Sequence, residues 1–196
     1  FRPFGHMGRM VPDALKAGDH FQRCRYIPQL TGHRHLGLHT EMFADGIVDL
    51  IKAGVIDGSC KTLDRGKAVA SFLLGSQDLY RFVHLNGGVL MKDIEYTNDL
   101  RTIAGIDNLV AINSATEVDL TGQICADSIG TRIYSGTGGQ LDFLLGAYLS
   151  KGGKSFICMS STVTGKDGSV KSRIVPTLTP GSICTDPRSC THYIVT

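Results

Sequence analysis

Several features that would place a protein in a membrane or on a nucleic acid are missing from this sequence. No apolar run approaches the roughly 20 residues that a membrane-spanning helix needs. The amino end lacks the charged-then-apolar pattern of a signal peptide. The formal net charge is only +2, and no lysine- or arginine-rich run is present. We therefore predict a cytoplasmic protein with no membrane and no nucleic-acid partner.

Cysteines at metal-binding or disulfide spacing are missing as well. The six cysteines are scattered along a chain that is long enough to build its own core, and no CxxC pair occurs. We therefore predict reduced thiols. Cys184, Cys190 and His192 lie close in sequence, but without a CxxC pair they do not predict a metal site.

The amino-acid composition is that of an ordinary globular domain. Hydrophobic residues make up 42% and charged residues 19% of the 196 positions, and no internal repeat or low-complexity linker occurs. From residue 36 onward, apolar runs alternate with helical periodicities. This alternation predicts one α/β domain, built on a mostly parallel open sheet with helices on both faces. Residues 1–35 are the least readable part of the sequence, and residues 16–35 show neither period.

The same patterns predict the individual elements. Strands are expected at 36–41, 67–74, 88–91, 109–115, 155–159, 170–175 and 192–195, with a hairpin or an edge excursion at 118–124. Helices are expected at 44–55, near 79–83, near 100–106 and, as an amphipathic helix, at 140–149. Gly58 is the predicted terminator of the first helix, and Thr97 or Asn98 is the predicted cap of the third.

Glu41 is the first candidate for chemistry, because it ends a predicted strand directly before a turn and a helix. In open α/β sheets, ligands bind at the carboxyl ends of the strands. One alternative is that Glu41 only caps the turn or forms a salt bridge there. Another is a metal site, since strand alternation would place His33, His35, His39 and Glu41 on one face.

Other polar positions are weaker candidates. Gly136-Thr137-Gly138-Gly139 leads into a predicted helix, where backbone N–H groups can point at a ligand, although a tight turn explains the same pattern. Asn113 ends a buried strand and can hydrogen-bond the loop of Glu41. Lys151 is either a solvated loop lysine or a contact for an anionic ligand. Glu117 and Asp119 are expected to serve the structure, because their spacing suits one face of a strand.

Several segments together resemble the acetyl-CoA hydrolase/transferase family. They cover the chain almost continuously from residue 36 and are found at 36–46 (LGLHTEMFADG), 95–99, 111–123, 135–143 (SGTGGQLDF), 150–154 and 173–176. The resemblance implies two α/β domains of similar fold with the active site between them. Residues 36–196 would be the C-terminal domain. Residues 1–35 would be a divergent remnant of the family's Gly-rich loop, whose counterpart is 8–15, and the N-terminal domain would be missing.

The resemblance also implies a mechanism. Glu41 would attack an acyl-CoA thioester, and CoA would be carried as a glutamyl-CoA thioester to a small carboxylate such as 4-hydroxybutyrate. Gly139 would be the oxyanion amide, and CoA would be bound by Gly136, Gly138, Gly139, Lys151 and Asn113. CoA is then a substrate, with no permanently bound cofactor. The implied partners are acyl-CoA, the carboxylate, the N-terminal domain and further copies of the chain. Two alternatives are an acetyl-CoA hydrolase that uses the same nucleophile and an inactive CoA-binding fragment.

Overall fold

The computed structural model describes residues 4–7, 27–165 and 167–196. A parallel sheet of seven strands forms the centre, in the order β16-β12-β7-β1-β2-β4-β6. Its strands are β1 (Phe4–Met7), β2 (Leu38–His39), β4 (Ala68–Ala70), β6 (Val89–Met91), β7 (Val110–Asn113), β12 (Lys154–Cys158) and β16 (Tyr193–Val195). The predicted parallel α/β sheet is therefore confirmed.

The chain also forms smaller sheets of two or three strands. They are β3 (Met42–Phe43) with β5 (Phe72–Leu73), β8 (Glu117–Asp119) with β9 (Ile124–Cys125) and β15 (Ile174–Val175), β10 (Ser128–Ile129) with β11 (Arg132–Ile133), and β13 (Thr162–Thr164) with β14 (Val170–Ser172). β8 and β9 are antiparallel, which confirms the hairpin predicted at 118–124. The helices are α1 (Asp45–Lys52), α2 (Gln77–Val83), α3 (Ile94–Thr97), α4 (Leu100–Ala104) and α5 (Gln140–Leu149).

Helices cover both faces of the sheet. Successive side chains of a strand point to opposite faces, and β7 shows where each one goes. Ala111 packs in a cluster with Phe143 and Ala147 of α5, whereas Ile112 packs against the cluster that contains Ile47 of α1. The predicted two-sided covering is confirmed, and α5 lies on the face opposite to α1.

Some boundaries differ from the sequence prediction. The expected strand 67–74 is two strands, because Ser71 separates β4 from β5 and the two belong to different sheets. The expected strand 170–175 is likewise divided, into β14 and β15. Helix α1 ends at Lys52, and the turn after it contains Gly54 at φ 68°, so Gly58 is not its terminator.

Two further predictions about helices are wrong. The cap of α4 is Asp99, whose carboxylate accepts a 2.7 Å hydrogen bond from the backbone N–H of Thr102. Helix α5 has the predicted bounds but is not amphipathic. It buries apolar residues on one side and also exposes the apolar residues Leu141, Tyr148 and Leu149. Periodicity could not show this, since α5 is apolar on most of its circumference.

The segment before residue 36 contributes a strand that its pattern did not indicate. The backbone of Phe4–Met7 lies between β2 and β7 in the middle of the sheet. The predicted remnant of the Gly-rich loop at 8–15 lies outside the described residues. None of the helices in the described ranges is long and apolar enough to cross a membrane.

Candidate active site

Glu41 lies at the carboxyl edge of the sheet, in the two-residue connection between β2 and β3. Its backbone carbonyl accepts hydrogen bonds from the backbone N–H groups of Ser71 at 2.9 Å and Phe72 at 3.0 Å. These donors come from the break between β4 and β5, so the interruption at Ser71 fixes the backbone of Glu41. The side chain of Glu41 is half-buried and projects from a rigid strand end.

The backbone of Gly139 contacts the side chain of Glu41. The backbone N–H of Gly139 donates a 2.9 Å hydrogen bond to Oε2 of Glu41. Gly139 is the residue directly before α5, so its N–H is one of the groups that the helix leaves without an internal partner, and the helix dipole favours negative charge there. A Cβ at this position would lie 2.5 Å from Oε2 of Glu41 and would also overlap the amide nitrogen of Asn98. Only glycine therefore fits.

Asn98 supplies the second donor, and sequence reasoning missed it as a site residue. Its amide Nδ2 donates a 3.1 Å hydrogen bond to the same oxygen, Oε2 of Glu41. Asn98 lies at the junction of α3 and α4, where the chain reverses beside the sheet edge. A sequence signal is present, since 95–99 is one of the segments that resemble the family, but the local pattern predicts only a helix cap at Asn98.

The two donors define what this arrangement can do. N–H groups about 2.7–3.1 Å from one oxygen stabilise negative charge that develops on it during acyl transfer. The distances of 2.9 Å and 3.1 Å at Oε2 of Glu41 fall in this range. Glu41 is thus a carboxylate with one oxygen already seated in an oxyanion-binding arrangement.

A second carboxylate borders the pair. Burial raises the pKa of Asp142, a hydrogen bond from the side chain of Asn98 lowers it, and the charge of Glu41 raises it further. Asp142 is in the first turn of α5. A second carboxylate therefore lies near Glu41 and Asn98.

Behind Asn98 lies a buried polar layer. His39 is 1% exposed, and its Nε2 lies 2.9 Å from the carbonyl oxygen of Thr97. Because a carbonyl only accepts, Nε2 carries the proton. Burial lowers the pKa of His39 to about 4, so the ring is neutral at neutral pH. Its Nδ1 is buried and has no hydrogen-bond partner among the described residues.

The remaining predicted residues fall into two groups. Gly136 and Gly138 are exposed in the loop that leads to Gly139, and Gly138 has φ 60°. Asn113 is 2% exposed at the carboxyl end of β7, and within the described ranges neither its Nδ2 nor its Oδ1 has a hydrogen-bond partner. Lys151 is exposed beyond the opposite end of α5, a ten-residue helix that is about 15 Å long. The structure does not bring Lys151 to Glu41.

Two other expectations concern groups away from this edge. Glu117 accepts hydrogen bonds from the backbone and hydroxyl of Thr179 and from the hydroxyl of Ser182, at 2.7–2.9 Å. Asp119 accepts bonds from Thr121 and Gln123 in the β8–β9 turn. Both carboxylates hold loops together, which agrees with the predicted structural role.

The structure does not bring together the residues of the metal-site alternative. His35 has φ 59°, a left-handed conformation that breaks the strand alternation on which the idea depended. Its Nδ1 faces Asp57 at 2.7 Å, while His39 faces the carbonyl of Thr97. Over residues 27–165 and 167–196, no three His, Cys, Asp or Glu residues are grouped to hold a metal ion.

The fold and the site define a class of protein: a parallel α/β domain with a carboxylate at the carboxyl edge of its sheet, held by a helix N-terminus. A sequence profile narrows this class, since the acetyl-CoA hydrolase/transferase C-terminal domain matches residues 75–196. The chain therefore belongs to the acetyl-CoA hydrolase/transferase family.

Relatives of known name agree with this assignment. The chain is 53% identical over 163 residues to a probable butyrate:acetyl-CoA coenzyme A-transferase of Syntrophomonas wolfei, covering 83% of this chain and 36% of the relative. It is 48% identical over 167 residues to a 4-hydroxybutyrate coenzyme A transferase of Clostridium kluyveri, covering 85% and 38%. The chain thus spans less than two fifths of the length of these relatives.

Solved structures match nearly the whole chain. RipA from Yersinia pestis superposes with a TM-score of 0.82 at 38% identity, covering 98% of this chain and 40% of RipA. A 4-hydroxybutyrate CoA-transferase from Porphyromonas gingivalis superposes with a TM-score of 0.75 at 36% identity, covering 99% and 41%. These matches extend over the Glu41 region that precedes the profile match.

Proposed function

We propose that the whole protein containing this chain is a CoA-transferase that moves CoA from an acyl-CoA to a small carboxylate through a glutamyl-CoA thioester on Glu41. The observation that carries the proposal is the convergence of the Gly139 N–H and the Asn98 amide on one oxygen of Glu41. The names of the relatives, which are CoA-transferases for butyrate and 4-hydroxybutyrate, support the reaction class.

The first half of the reaction uses Glu41 as a nucleophile. Its Oε1 attacks the thioester carbonyl carbon, the C–S bond breaks, and CoA thiolate leaves, so that a mixed anhydride joins the acyl group to Glu41. The thiolate then attacks Cδ of Glu41 and expels the acyl group as a free carboxylate. CoA is now held as a thioester on Glu41.

The two donors act in the second attack. When sulfur adds to Cδ of Glu41, negative charge develops on Oε2, the oxygen that Gly139 and Asn98 already hold. The donors require no reorganisation, because both are fixed in the resting protein. An incoming carboxylate reverses the two steps and leaves as a new acyl-CoA.

Substrate binding extends to neighbouring groups. The exposed loop at Gly136 and Gly138 lets a substrate approach the backbone beside Gly139. Asn113 is a further candidate contact, because its buried amide has no hydrogen-bond partner among the described residues. Lys151 is left out, since it lies beyond the far end of α5. We also propose that a domain outside this chain completes the site, so the 196 residues alone transfer CoA poorly.

The test is capture of the intermediate. The full-length protein is loaded with acetyl-CoA, butyryl-CoA or succinyl-CoA, treated with hydroxylamine or borohydride, and digested for mass spectrometry. The expected modification is on Glu41, and Glu41→Gln abolishes both the modification and the transfer. Glu95→Gln is the matched control, because Glu95 is an exposed glutamate of α3. Transfer without a modified Glu41 rejects the mechanism, and thioester loss without an acceptor identifies a hydrolase.

A further inference from the structure

The amide of Asn98 must face one way for the site to work. An Asn side chain carries a donor nitrogen and an acceptor oxygen of nearly the same shape. A flipped amide would present Oδ1 to the carboxylate of Glu41, which would repel the charge instead of binding it. Some neighbouring group must therefore select the orientation in which Nδ2 lies 3.1 Å from Glu41.

Thr97 is placed to make that selection. Its hydroxyl Oγ1 donates to Oδ1 of Asn98 at 3.1 Å; a flipped amide would give up this bond, and the hydroxyl would have to reorient to accept from Nδ2. The side chain of Thr97 is fully buried, so water cannot replace this donor. The hydrogen bond to Oδ1 therefore leaves Nδ2 directed at Glu41.

Ser71 contacts the hydroxyl of Thr97. The hydroxyls of Ser71 and Thr97 are in hydrogen-bond contact, and either could donate. When Ser71 donates, the proton of Thr97 is available for its acceptors, which are Oδ1 of Asn98 at 3.1 Å and the backbone carbonyl of Asp93 at 3.3 Å. Ser71 is also the residue whose N–H holds the backbone carbonyl of Glu41.

The backbone of Thr97 is fixed independently. His39 donates from Nε2 to the Thr97 carbonyl at 2.9 Å, and Asp93 caps α3 by accepting from the N–H of Tyr96 at 2.8 Å. The hydroxyl of Thr97 therefore occupies a set position relative to the amide of Asn98.

We propose that Thr97 is a positioning residue for the Glu41 site, which acts by donating to Oδ1 of Asn98 and so aims Nδ2 at the carboxylate, with Ser71 directing the Thr97 proton. The inference rests on the proposed function, since it names residues that prepare Glu41 for CoA transfer. Neither Thr97 nor Ser71 contacts the reacting atoms.

The test is a double-mutant cycle in the full-length protein. Thr97→Val keeps the shape and removes the hydroxyl, Thr97→Ser keeps the hydroxyl, and Asn98→Ala removes the amide. We expect Thr97→Val to lower kcat about tenfold with KM changed less than about twofold, and Thr97→Ser to restore kcat. In the Asn98→Ala background, Thr97→Val should have no further effect, because the amide that it aims is gone.

Controls distinguish the positioning role of Thr97 from general damage to the protein and from a failure of the proposed function. Thr164→Val, at an exposed position of β13, should leave kcat unchanged. If Thr97→Val does not fold, Ser71→Ala serves instead and should show the same dependence on Asn98. The proposed role of Thr97 is overturned if Thr97→Val lowers kcat equally in the Asn98→Ala background. It is also overturned if Thr97→Ser does not restore kcat. Transfer that survives Glu41→Gln overturns the proposed function, whatever the cycle shows.

Discussion

The backbone N–H of Gly139 and the side chain of Glu41 meet at 2.9 Å, although 98 positions separate them in sequence. The contact depends on a position that has no side chain. Any Cβ at 139 would occupy the space that the carboxylate oxygen and the Asn98 amide now fill. The glycine is therefore required by space, since its φ of −90° is open to other residues.

Gly139→Ala should abolish transfer while the domain stays folded. The added methyl group would push Glu41 and Asn98 away from the N–H, and the loss of one oxyanion donor alone costs about 100- to 1,000-fold in kcat. Steady-state kinetics and circular dichroism measure the two properties. Gly87→Ala is the control, because Gly87 has no atom within 4 Å of an added Cβ and no positive φ. Near-normal kcat in Gly139→Ala would show that this donor is dispensable.

Gly146→Ala should destabilise the protein, against the usual effect of replacing a helical glycine. Alanine normally favours a helix by about 1 kcal/mol. Here a Cβ would lie 2.6 Å from Cβ of Ile103 and would overlap its Cγ2, so α5 and α4 would have to separate. Because Asn98 lies two residues before the start of α4, kcat should fall as well. Urea denaturation checks the stability, and the cost of Gly146→Ala should be smaller in an Ile103→Ala chain, which lacks Cγ2. A stability gain from the single substitution would contradict this packing.

His39 should make the protein sensitive to acid. Burial lowers its pKa from 6.5 to about 4, so the unfolded chain takes up a proton at a higher pH than the folded one. The stability that neutral His39 contributes is complete above pH 6.5 and is lost as the pH falls towards 4, by up to about 3 kcal/mol. In His39→Gln the free energy of unfolding should depend less on pH over this window. His84→Gln, at an exposed histidine, should keep the original dependence.

Asp186 should destabilise the folded protein at high pH, whereas His39 does so at low pH. It is fully buried, and burial raises its pKa from 3.8 to about 6. Its ionised form opposes folding above pH 6, and this cost disappears as the pH falls from about 6 to 4. Asp186→Asn should therefore stabilise the protein by about 1–3 kcal/mol at pH 8 and by little at pH 4. Urea denaturation at both pH values measures the difference, and Asp49→Asn, on the exposed side of α1, is the control. Destabilisation at pH 8 would show that the charge is needed.

Much of the fold was predictable because burial leaves a strong pattern in the sequence. The apolar run around β7 predicts a central strand, and Gly136–Gly139 correctly predicts the start of α5. The strand at 67–74 was harder, since Ser71 interrupts pairing without any glycine or proline to mark the break. Only the arrival of the Glu41 carbonyl at the N–H of Ser71 and Phe72 shows why the strand bends there.

The candidate site was predictable only in part. Strand-end position points to Glu41, and helix entry points to Gly139, because each has a local signature. Asn98 has none, since an Asn after a short helix most often caps it, and its contact with Glu41 spans 57 positions. Thr97 is still less visible, because its effect on Glu41 passes through a second side chain.

The place of β1 in the sheet has a consequence for synthesis on the ribosome. β1 pairs with β2 on one side, but its other neighbour, β7, is made roughly a hundred residues later, which takes about 5–20 s at typical rates of elongation. During that interval one edge of β1 has unpaired N–H and C=O groups and can pair with another nascent chain. Slower translation between β2 and β7 should therefore increase aggregation unless a chaperone covers that edge.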